Sequence, residues 1–108
     1  MGKTSQRKGA EGERELARIL CSHGYEIKRG GSLSYGTVPD LYGLQEIHIE
    51  VKRVERLNLW TAMSQSIEDA ERFNDGMPTV FHRQSHRPWL VTMRLDDWLK
   101  LYNKLYKK

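Results

Sequence analysis

The 108 residues suffice for one modest hydrophobic core and not for two, so a single domain over 1–108 is expected. A hydrophobic fraction of 38% and a charged fraction of 30% fit a globular chain, and no apolar run is long enough for a membrane helix. The first eight residues lack the apolar core of a signal peptide, and the single cysteine, Cys21, excludes an internal disulfide or a cysteine-based zinc site, so a cytoplasmic protein is expected. The net charge of +4 is unevenly spread: Lys3, Arg7 and Lys8 near one end and Lys100, Lys104, Lys107 and Lys108 at the other account for seven of the 18 basic residues. The remaining 11 face 14 acids. Basic ends of this kind either grip a phosphate backbone or are simply solvated.

In chain order, a helix is expected from about Gly9 to His23, where Leu16, Ala17, Ile19 and Leu20 form an apolar stripe and Gly24 supplies a stop. Glu11, Glu13 and Glu15 then fall near its start, where the helix dipole favours acids. Tyr25–Arg29 reads as a strand and Gly30–Gly36 as a glycine- and hydroxyl-rich loop. Residues 38–43 and 47–53 form a hairpin that turns near Gly43 to Glu46. A second helix is expected from Asn58, its N-cap, to Asn74, and Asp75-Gly76-Met77-Pro78 closes it. Short strands at Thr79–Arg83 and Trp89–Met93 precede a last helix, Leu95–Tyr106, with Leu95, Trp98, Leu99, Tyr102, Leu105 and Tyr106 on one side. This order predicts an α/β fold with a mixed sheet flanked by helices.

The chemistry centres on Pro39-Asp40 and on Glu50-Val51-Lys52. Along a strand Glu50 and Lys52 share one face, while Ile47, Ile49 and Val51 share the other. Across a hairpin Asp40 can approach Glu50, giving a carboxylate pair for a hard divalent cation, Mg²⁺ or Mn²⁺, with Lys52 to balance charge on phosphorus. Taken alone, Glu-X-Lys is more often a solvent-facing pair; the Pro-Asp at hairpin distance narrows that gap without closing it. His48 shares the Glu50 face, but a lone strand histidine is more often structural. His82 and His86 have no third ligand at zinc spacing, and Ser64 and Ser66 have no implied base. Trp60, Trp89 and Trp98 suit core or interface positions, with Trp60 also placed to stack on an unpaired base.

Pro39-Asp40 and Glu50-Val51-Lys52 resemble the signature of the PD-(D/E)XK nuclease superfamily. Lys8-Gly9-Ala10, Glu13-Arg14-Glu15-Leu16, Gly24-Tyr25 and Arg29 are similar to the opening of archaeal-type Holliday-junction resolvases and their phage relatives. The likeness covers roughly residues 8 to 75. It implies a restriction-endonuclease-like three-layer core, with Glu13, Asp40 and Glu50 as metal ligands and Lys52 as the catalytic lysine. Arg14 and Arg29 match basic positions tied to DNA or the active site, and Ser32 lies where those resolvases carry a functional serine; Lys3, Arg7 and Lys8 complete the expected DNA contacts. Leu41-Tyr42-Gly43-Leu44 after the Pro-Asp looks more like VRR-NUC domains, and Gln65 matches a glutamine that several branches place near the metal. As an uncharged donor it can orient a water or a phosphate; equally it is a surface residue of an amphipathic helix.

The resemblance thus implies a metal-dependent endonuclease for branched or structured DNA, in the cytoplasm of a host if phage-encoded. The alternatives are a VRR-NUC-type preference or a DNA-binding module that does not cut. Two strands of a four-way junction require two active sites, which predicts a two-fold homodimer. Its interface is expected on the apolar faces of the strands from Thr79 to Met93 or on the last helix.

Overall fold

The computed structural model describes residues 2–30 and 39–106. Its elements are α1 (Gly2–Ser22), β1 (Lys28–Arg29), β2 (Leu41–Tyr42), β3 (Ile47–Arg53), α2 (Leu59–Phe73), β4 (Met77–Arg83), β5 (Leu90–Met93) and α3 (Leu95–Tyr106). The five strands lie in the order β1-β2-β3-β4-β5. β3 and β4 are parallel and every other neighbouring pair is antiparallel.

The two-residue period of β3 decides the layering. Ile49 and Val51 face α1, where Leu16, Leu41, Ile49 and Phe81 form one core cluster. The opposite face carries His48, Glu50 and Lys52, and there Ala62 and Met63 of α2 pack on Val80, the register partner of Glu50. Helix, mixed sheet and helix therefore form the expected three-layer α/β core, with α2 as the crossover that parallel strands require. Asn58 caps α2 as expected: its side chain accepts a hydrogen bond from the Thr61 amide at 3.0 Å.

Several boundaries differ from the sequence expectation. Helix α1 begins at Gly2 rather than Gly9, so Glu11, Glu13 and Glu15 lie beyond its first turn and the dipole no longer explains them. Instead, Glu15 ties α1 to the far strands, accepting from the Trp89 indole at 2.7 Å and from Arg83 at 3.0 Å. β1 is confined to Lys28–Arg29, because β2 offers only Leu41 and Tyr42 as partners. β4 begins two residues early and includes Pro78. The Met77 amide donates to Glu46 on β3's side, so Pro78 turns its missing donor the other way, where β5 pairing starts only at Thr79. The apolar stripe of α3 is left exposed, with the Trp98 ring stacked on Tyr102 and the Tyr106 ring tilted against Tyr102.

Gly12 sets the distance between α1 and the sheet. A Cβ there would lie 2.7 Å from the Arg53 Cβ, so only glycine lets the helix approach the end of β3 this closely.

Candidate active site

β3 carries the predicted Glu50 and Lys52 on the α2 face, and the Leu41↔Ile49 register sets Asp40 opposite Glu50. Asp40 is exposed just before β2, whereas Glu50 is buried. Lys52 points its ammonium to the Gln65 side-chain oxygen at 2.8 Å, with the nearer Glu50 oxygen at 3.9 Å. Gln65 thus reaches the lysine from α2.

Glu13 arrives from α1 on the other side of Asp40. The Arg29 guanidinium donates to it at 3.2 Å. Burial pushes the Glu13 carboxyl upward, as does the charge of Asp40, against the hydrogen bond and charge of Arg29. Asp40 is therefore the shared wall of two adjoining clefts. One, of about 470 Å³, is bordered by Glu13, Lys52 and Arg53; the other, of about 170 Å³, by His48, Glu50, Gln65 and Asp69. A larger cavity of about 980 Å³ beside α3 contains none of these groups.

The second cleft holds chemistry that the chain order conceals. His48, 1% exposed, accepts or donates at both ring nitrogens: Nδ1 lies 2.8 and 2.9 Å from the two Asp75 oxygens, and Nε2 lies 3.1 Å from Glu50 Oε1. Burial alone would lower the imidazole, but the two carboxylates outweigh it and hold its proton more firmly than usual. Burial raises the Glu50 carboxyl, with the hydrogen bond from His48 opposing and the charge of Asp69 reinforcing that rise. Donor atoms of His48, Glu50 and Asp69 all lie within 4.8 Å of one another. Among the described residues no other three such groups come this close, and Glu13, Asp40 and Glu50 are spread more widely.

Asp69 and Asp75 were not singled out by sequence, although the four-residue step from Gln65 to Asp69 puts both on one face of α2. The side chain of Arg14 is exposed on α1. Lys3, Arg7 and Lys8 lie on the first turns of the same helix, and Ser32 falls outside the described residues.

The family model described as archaeal Holliday junction resolvase (hjc) matches residues 4–100. The chain belongs to that family. Its fold is also similar to the 1.6 Å structure of Archaeoglobus fulgidus Hjc, a Holliday junction resolvase from an archaeal hyperthermophile. That likeness has a TM-score of 0.58 at 23% identity, over 80% of this chain and 72% of the other. No curated protein matches. Membership of the Hjc family makes the chain a junction-resolving nuclease, and the resemblance drawn from Pro39-Asp40 and Glu50-Val51-Lys52 agrees with it.

Proposed function

We propose that this Hjc-family chain is a single nuclease domain over 1–108 that acts as a Mg²⁺- or Mn²⁺-dependent endodeoxyribonuclease on four-way or otherwise branched DNA. The observation that carries the reading is the convergence on Asp40: Glu50 stands opposite it in the β2–β3 register, and Glu13 is close enough to feel its charge. The oxygen-rich donors Asp40, Glu50 and Glu13 suit a hard divalent cation. When bound, such an ion supplies Lewis-acid polarisation of the phosphate and a more acidic water.

The remaining work belongs to the chain. Lys52, steadied by Gln65, presents its ammonium where negative charge grows on the phosphorus oxygens. Arg29 offsets the crowding of Glu13 against Asp40, which keeps Glu13 available as a ligand. Arg14, Lys3, Arg7, Lys8 and Ser32 are assigned to the DNA backbone, with Arg29 near the scissile phosphate. A two-fold homodimer supplies the two cuts a junction needs, and the exposed stripe on α3 supports that assembly. We place its action in the cytoplasm, that of a host if the chain is phage-encoded.

The test is incubation of labelled four-way junction, flap, single-stranded and linear duplex DNA with Mg²⁺, Mn²⁺ or EDTA. The reading expects cutting of the junction in either metal and none in EDTA. Cutting confined to another branched substrate would favour a VRR-NUC-type preference, and binding without metal-dependent cutting would favour a DNA-binding module.

A further inference from the structure

The cleft beyond Glu50 contains a donor set that Pro-Asp and Glu-X-Lys do not include. We propose that His48 and Asp69 join Glu50 in holding a divalent cation through one imidazole nitrogen and two carboxylates, and that this set prefers Mn²⁺ to Mg²⁺. The inference deepens the nuclease reading and rests on it for the use the cation is put to.

Three features carry it. The donor atoms of the three residues already lie within 4.8 Å of one another, a span one ion can bridge. Asp75, outside the group, fixes the imidazole by Nδ1 at 2.8 Å, so Nε2 is directed at the Glu50 carboxylate. A histidine that gives one ring N–H to a carboxylate and turns its other nitrogen to a cation is the usual support for a metal-ligating imidazole. The cation would take the place of the direct contact between Nε2 and Glu50, 3.1 Å apart. Finally, the group opens onto the cleft of about 170 Å³ that Asp40 and Gln65 also border, so a cation there adjoins the proposed reaction centre.

The preference follows from donor chemistry. Mg²⁺ is hard, takes oxygen ligands and keeps several waters, whereas imidazole suits first-row transition ions. Arg72, 3.3 Å from Asp69, is an exposed partner on the same helix and can be released when a cation takes the carboxylate.

The test uses the untagged full chain without DNA, loaded with Mn²⁺ and read by pulsed electron paramagnetic resonance for a directly bonded nitrogen. Titration calorimetry gives the affinities for Mn²⁺ and Mg²⁺. The expected result is a nitrogen coupling in the wild type and in Asp40→Ala, its loss in His48→Gln, and a narrower Mn²⁺ over Mg²⁺ preference in that variant. Asp75→Asn should weaken Mn²⁺ by about 10- to 100-fold, the range for groups that orient a ligand. Absence of nitrogen coupling in the wild type, or its survival in His48→Gln, overturns the proposal; if His48→Gln does not fold, a coupling that Asp69→Asn and Asp75→Asn both leave unchanged at unchanged Mn²⁺ affinity overturns it instead. The nuclease reading fails separately: if junction DNA is uncut in every metal, or cut as well by Asp40→Ala, that reading falls whatever the spectrum shows.

Discussion

Lys52, the proposed catalytic lysine, has the Gln65 oxygen at 2.8 Å from its ammonium and a Glu50 oxygen at 3.9 Å. Lys52→Ala should cut the cleavage rate by about 10²- to 10³-fold, as loss of one transition-state donor does, and leave junction affinity nearly unchanged; single-turnover cleavage and a binding titration check both halves. Gln65→Ala should lose about 10- to 100-fold by loosening Lys52, with less effect than the lysine itself. Glu13 offers a pH test. Its folded carboxyl is raised above the ordinary value of 4.5, so its contribution to stability is present when protonated and is lost as pH rises through the folded pKa. Melting of metal-free Glu13→Gln should therefore improve relative to wild type between pH 4 and pH 7; a difference independent of pH would refute a carboxyl raised by burial and by the charge of Asp40. Glu50 and Lys52 were legible in sequence because a two-residue period puts neighbours on one face. The His48–Asp75 bond was not, because 27 residues separate its partners and only the fold joins them.

At the scale of elements, the legible ones have strong local chemistry: the Asn58 cap and the 3.6-residue stripe of α2 stand where the sequence puts them, and so does the hairpin, although its first strand shrinks from 38–43 to Leu41–Tyr42. The start of α1 was hidden because its first turns are polar and follow no apolar period. The early start of β4 was hidden because Pro78 reads as a stop unless the one-sided pairing is known. Gly12 tests the placement of α1. Gly12→Ala gains about 1 kcal/mol of helix propensity, yet its methyl meets Arg53 at a distance real Cβ atoms avoid. Overpacking costs about 1–3 kcal/mol, so the net expectation is lower stability in denaturant titration together with slower cleavage, as Glu13 shifts away from Asp40. Unchanged stability and rate would show that α1 is not held at this distance.

For the whole molecule, the exposed surface of α3 is the feature that one copy leaves unexplained. Leu105 is 78% exposed, and Leu95, Trp98 and Tyr106 are exposed beside it, although Lys104 of the same helix pairs with Glu46. The proposed dimer covers this stripe. Sedimentation at micromolar concentration should show a dimer, and Trp98→Ala combined with Leu105→Lys should yield a folded monomer that binds junctions weakly. A wild-type monomer, with and without junction DNA, would contradict it. The stripe itself was legible as helical periodicity, but whether it faces the sheet or solvent was not, since either environment suits the same spacing.

Cutting of branched DNA is proposed to depend on a cation held by Asp40 and Glu50 and joined by Glu13. The most direct measurement is single-turnover cleavage of a labelled four-way junction by wild type and by Asp40→Ala, in Mg²⁺, Mn²⁺ and EDTA. Paired cuts are expected from the wild type in either metal, with none in EDTA and none from the variant at matched binding. Cleavage that persists in EDTA, or in Asp40→Ala, would contradict it.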